Sequence, residues 1–140
     1  MSVEENKAGQ RRVWEEVINK GNFKIIPELF APSYFYRSPL GIDIKGAEGF
    51  KQSLTMMRTA FPDIHCTIDD MFAVEDKVVT RFTISGTFKG EMMGIAPTGN
   101  KFTVAGIIIT RWADGKEVAA WESMDTFAFF QQLGISPPGQ

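Results

Sequence analysis

The chain has 140 residues, 44% of them hydrophobic and 23% charged, with a net charge of −2. That is the make-up of one soluble globular domain, so disordered and collagen-like chains are excluded. No basic excess exists to attract a polyanion, which argues against a nucleic-acid binder.

A helical stripe, Val13, Trp14, Val17 and Ile18, predicts a first helix over residues 4–20, ended by Gly21. Phe23, Ile26, Leu29 and Phe30 recur at helical spacing and predict a second helix over 23–30, with Pro27 in its first turn. Tyr34, Phe35 and Tyr36 form a brief strand or extended loop. Phe50, Leu54, Met57 and Phe61 make one apolar face of a third helix over Gly46–Ala60, broken by Pro62. Alternation then predicts strands. These are 64–74, 77–88 after the turn at Glu75-Asp76, 102–112, and 116–124 after the hairpin signal Asp114-Gly115. Residues 89–101 form a glycine-containing loop, a lid candidate. Thr126–Leu133 reads as a short closing helix stopped by Gly134, before a loose tail over 136–140. Helices followed by hairpin-linked strands indicate an α+β domain with an antiparallel sheet. The strand through Thr103–Ile109 is apolar on both faces, so a second copy is expected to cover the sheet, giving a homodimer or homotetramer.

A single cysteine, Cys66, excludes an internal disulfide, and a single histidine, His65, leaves too few ligands for the usual zinc sites, so no metal is expected. The segment Met1–Lys7 has no apolar core, and no run approaches ~18 apolar residues. A signal peptide and a membrane span are therefore not expected, and the expected location is cytoplasmic. His65 and Cys66 are strand neighbours that point to opposite faces, which removes a Cys–His pair. No nucleophile elbow is present, and Gly94–Lys101 enters a strand rather than a helix, unlike a phosphate loop. Carboxylate acid–base chemistry, or simple ligand binding, is what remains. Candidate pocket walls are Trp14, Phe50, Met57, Phe61 and Trp121, with Met56-Met57 and Met92-Met93 as adaptable lining. The ordinary alternative for each is core packing. Arg37 is a candidate oxyanion or carboxylate clamp, or else a rim residue. Arg81 is a pocket residue or an exposed cross-strand partner. Tyr34 and Tyr36 are further polar helpers.

Four stretches, taken in order, resemble the SnoaL-like polyketide cyclase (ester cyclase) family of the NTF2-like superfamily. They are Ala60-Phe61-Pro62-Asp63; Asp76–Arg81 running to Gly86-Thr87; Gly94–Gly99; and Asp114-Gly115-Lys116 with Trp121, Asp125 and Gln131–Gly134. The resemblance implies a cone, in which three N-terminal helices pack in a strongly curved antiparallel sheet of four to six strands around a deep apolar pocket. It also implies sheet-packed dimers or tetramers, and a cofactor-independent aldol closure using an acid/base aspartate after the tryptophan of the last strand. The matching residue is Asp125, which stands where a strand ends and a helix begins and so also suits a helix N-cap. Arg37, Phe88 and Ala120 stand where members often carry histidine.

The resulting expectation is one domain over 1–140 that acts by proton transfer on a small apolar, polyketide-like carbonyl compound, by aldol cyclisation or isomerisation, with Asp125 as acid/base. The alternatives are a non-catalytic protein that binds a hydrophobic small molecule, and a structural dimerisation module.

Overall fold

The structure, a computed structural model, describes residues 2–137. Helix α1 runs over Val3–Arg12, opened by a capping box in which Ser2 Oγ accepts from Glu5 N at 3.1 Å and Glu5 Oε1 accepts from Ser2 N at 3.4 Å. It does not stay regular to residue 20. Val13–Asn19 form a π-helical continuation whose buried residues are Val13, Trp14 and Val17. The second expected helix is shorter than its apolar spacing suggested. A 3₁₀ turn over Phe23–Ile25 leads into helix α2, Ile26–Leu29, and Phe30 already opens strand β1, Phe30–Arg37. Strand β2, Asp43–Lys45, is a short edge strand that the sequence pattern did not reveal. Helix α3 spans Gly46–Ala60. Strands β3 (His65–Val74), β4 (Lys77–Thr87), β5 (Lys101–Ala113) and β6 (Lys116–Met124) follow, and helix α4, Thr126–Leu133, closes the fold at the left-handed Gly134. The tail expected over 136–140 lies outside the described residues from 138 onward. No helix among the described residues is long and apolar enough to cross a membrane.

The six strands form one curved, unclosed sheet in the order β2-β1-β6-β5-β4-β3. Every pairing is antiparallel except β1 with β6, which is parallel. The three N-terminal helices lie in its concavity, as expected of the cone. Two apolar clusters fill that space. One gathers Trp14, Phe30, Tyr34, Phe50, Phe82 and Ile108; the other gathers Phe61, Phe88, Phe102, Phe129, Phe130 and Leu133. The open edge at β3 is held by Asn19, whose Nδ2 donates to Cys66 O at 2.9 Å while Cys66 N donates to its Oδ1 at 2.7 Å. Asp63, in the break after α3, accepts from Thr87 N and Thr87 Oγ1, each at 2.7 Å, and ties that break to the end of β4.

Two local irregularities shape the concave face. At Gly106 in β5 the Phe82 ring crosses the strand: an added Cβ would lie 2.5 Å from Phe82 Cζ and 2.7 Å from Ser123 O. In β6 the ladder steps from Arg111↔Ala119 to Trp112↔Glu117, so Val118 is an extra, bulged residue. Residues five apart on a strand normally face opposite sides, but this bulge places Glu117 and Glu122 on the same concave face.

Gly106→Ala is expected to displace Phe82 and cost about 1–3 kcal/mol as an overpacking strain. A urea unfolding midpoint lowered with an unchanged slope would show it; an unchanged midpoint would mean that the ring moves aside freely.

Candidate functional site

A cavity of about 380 Å³ is lined by residues of both apolar clusters. Trp14, Phe50 and Phe82 from one cluster and Phe102 and Phe129 from the other are among its walls. Met56, Met57, Met92 and Met93 also line it, and Glu91 with the two loop methionines brings the segment after β4 to it. Its size is that of a small-molecule site.

Two carboxyl–phenol pairs are among its polar groups. Tyr34 and Tyr36, two apart on β1, share the concave face, with their rings stacked at 6.5 Å. Tyr34 Oη donates to Glu117 Oε2 at 2.7 Å, and Tyr36 Oη donates to Glu122 Oε1 at 2.7 Å. The two pairs are not equivalent. Tyr34 and Glu117 are 1% and 2% exposed and form the covered floor. In the amide orientation that satisfies its neighbours, Gln10 donates to Glu117 Oε1 at 3.2 Å and to Thr110 Oγ1 at 2.7 Å, and accepts from Trp14 Nε1 at 3.1 Å. Both oxygens of Glu117 are thus occupied. Tyr36 and Glu122 are half-buried and line the cavity. Glu122 Oε2 has no protein donor among the described residues, so one carboxyl oxygen is left for a ligand.

Burial dominates the electrostatics. It pushes Glu117 up to about 8 from an ordinary 4.5, against the Tyr34 hydrogen bond and with help from the neighbouring Glu122 charge. Burial likewise pushes Glu122 up to about 7, against the Tyr36 hydrogen bond. Both tyrosines are raised well above their usual value, by burial first and then by the adjacent glutamates. Burial also pushes the Cys66 thiol, another lining group, upward. Among the described residues, no Lys, Arg or His lines the cavity. No ion pair among the described residues involves either glutamate. Nor do three His, Cys, Asp or Glu side chains gather anywhere among them as a metal site would require.

Of the residues singled out in the sequence, Trp14, Tyr36, Phe50 and Met57 line this cavity. Phe61 stands behind the wall, fully buried against Phe88, Phe102 and Phe129. Four others lie elsewhere. Asp125 is exposed and caps α4, its Oδ1 accepting from Ala128 N at 3.0 Å; the cavity does not include it. Trp121 is 41% exposed on the convex face, because its parity on β6 is opposite to that of Glu122. Arg37 pairs with the Asp43 carboxylate at 2.9 Å at the sheet margin, and Arg81 faces Asp69 at 4.0 Å on the convex side. The glutamates were missed for two reasons. Glu122 shares inward parity with Ala120 and Met124, a signal that was available beside Trp121. Glu117 has the opposite parity, and only the bulge at Val118 turns it inward.

Because both carboxyls are more acidic unfolded than folded, their burial favours folding fully below about pH 4.5 and loses that contribution as pH rises through about 7 and 8. Stability is therefore expected to decline across that window and level above it. Glu117→Gln should flatten the decline; an identical pH profile in that variant would show that Glu117 is not held neutral.

A family model, SnoaL-like polyketide cyclase, matches residues 9–133. No curated protein sequence matches the chain significantly. Among solved structures, IdmH from Streptomyces antibioticus, for which a polyketide cyclase role has been put forward, is 27% identical. It has a TM-score of 0.80, with 93% of this chain and 99% of that one covered. TsrD from Streptomyces laurentii is 26% identical with a TM-score of 0.85, covering 97% and 99%. A SnoaL-like protein from Jannaschia sp. CCS1 has the same fold, with a TM-score of 0.87 at 18% identity over 96% and 94%. With its curved sheet, enclosed helices and a family match over most of its length, the chain belongs to the SnoaL-like polyketide cyclase family.

Proposed function

We propose that the protein is a cofactor-independent acid/base enzyme acting on a small apolar carbonyl compound of polyketide type, and that Glu122 is its acid/base. The observation that carries this is the free Oε2 of a carboxyl set inside an apolar cavity and raised to about 7. A base poised near the working pH both removes and returns a proton efficiently. In the proposed step Glu122 Oε2 takes a proton from the carbon beside a carbonyl. The C–H electrons pass to the carbonyl oxygen as an enolate. In an aldol closure the enolate carbon then bonds to a second carbonyl, whose oxygen becomes an alkoxide and takes the proton back from Glu122. In an isomerisation the proton returns to a different carbon. Tyr36 holds the carboxyl in place throughout. The role expected of Asp125 passes to Glu122 in this proposal, because Asp125 is occupied as a helix cap outside the cavity. The likeness to IdmH supports the carbonyl chemistry.

Deuterium uptake beside the carbonyl, followed by proton NMR in heavy water over a panel of aryl ketones and diketones, tests this without knowledge of the natural product. Glu122→Gln is expected to lower the exchange rate by roughly 10²–10⁴-fold, and Asp125→Asn, which still caps a helix, to leave it unchanged. Ligands that bind in the cavity but never exchange would instead make this a binding protein.

A second copy is proposed to cover the convex face. Phe72, Val79, Ile109 and Trp121 are cross-strand neighbours there, running over four strands. Phe72 is 55% and Ile109 39% exposed, and Ile107 beside them is 50% exposed. An uncovered apolar row of that length is unusual for a monomer. Light scattering should give a dimer or tetramer for the unmodified chain and a monomer for Ile109→Glu; a monomeric unmodified chain at micromolar concentration would refute it.

A further inference from the structure

Among the described residues, Glu122 has no cation to answer its charge. It shares the cavity with Tyr34 and Tyr36 from β1, Glu117 from β6, Cys66 from β3, Gln10 and Trp14 from the first helical segment, and Glu91 from the loop after β4. All of the ionisable groups among these are acids, and none of the lining residues is basic. A carboxylate taken from water without a counter-ion is costly. The same cavity is lined by the rings of Trp14, Tyr34, Tyr36, Phe50 and Phe82, several in mutual contact: Trp14 with Phe82 at 5.1 Å and Tyr36 with Phe50 at 5.6 Å. Ring faces attract cations, most strongly when water is excluded. An acidic oxygen inside a set of aromatic walls is the chemistry that recognises an organic ammonium ion.

We propose that this cavity takes a compound carrying a positively charged nitrogen, a protonated or quaternary amine on an apolar frame, with the nitrogen set among these rings against the free Oε2 of Glu122. The inference rests on the reading of this cavity as the substrate site and narrows its substrate class. The ligand supplies the missing counter-ion, which keeps Glu122 ionised once the site is filled. A positive nitrogen also acidifies the C–H bonds beside it, where the proposed base acts. A ligand carboxylate meets only like charge and is excluded.

Calorimetric titration of the full-length chain at about pH 8 with three probes tests this: benzyltrimethylammonium, neutral 4-phenylbutan-2-one and anionic 4-tert-butylbenzoate. The ammonium ion is expected to bind roughly tenfold or more tighter than the ketone, and the benzoate not to bind. That preference should shrink at about pH 6, where Glu122 takes up a proton. It should also shrink in Glu122→Gln, whose unchanged circular dichroism spectrum shows that the variant is folded. Ketone binding as tight as the ammonium ion overturns the charge preference while leaving the cavity reading intact. Ammonium binding that is insensitive to Glu122→Gln overturns the assigned position. Binding by none of the three overturns both the inference and the cavity reading.

Discussion

Burying two carboxyl groups on the concave face of one sheet is the constraint around which this structure is organised. A buried carboxylate costs several kcal/mol unless it is paired or neutralised. No basic partner reaches them among the described residues, so the glutamates are accommodated by phenol hydrogen bonds and by rising into the neutral range. Both tyrosines come from β1, both glutamates from β6, and these strands are the parallel neighbours of the sheet. The site is therefore a cross-strand arrangement on rigid backbone. The single extra residue Val118 turns what would be one inward and one outward acid into two inward ones.

The two pairs divide the work by exposure. Glu117, Tyr34, Gln10, Thr110 and Trp14 form a saturated floor in which nearly every polar atom is engaged, and such networks are rigid. Glu122 stands above it with an oxygen to spare. The Glu122 charge in turn adds to the reluctance of the floor carboxyl, Glu117, to ionise. Around them the two apolar clusters leave a gap of small-molecule size, bounded by methionines that adapt to irregular shapes.

Much of this was legible in the sequence. Periodicity located α3, α4 and the four long strands to within a residue or two, because amphipathic patterns report directly on which face is buried. The family resemblance supplied the cone. What was not legible had local causes. The helical spacing of Phe23, Ile26, Leu29 and Phe30 concealed the change at Phe30 from helix to strand. β2 is too short to carry an alternation. At the site, aromatic residues that point inward were found, whereas the charged candidates settled elsewhere, Arg37 and Arg81 beside carboxylates and Asp125 as a helix cap. The two acids that do lie inside were passed over because Trp121 drew attention to the wrong parity of β6. A bulge cannot be read from a single sequence, so Glu117 had no signal at all.

The central claim is that the cavity holds a carboxyl whose acidity is shifted by burial to the working range. It is tested most directly by a carbon-13 NMR titration of the side-chain carboxyls, with Glu122 assigned by its loss in Glu122→Gln. The account predicts a midpoint near 7 for Glu122. A midpoint near the ordinary 4.5 would show a solvated carboxylate and contradict the site as described.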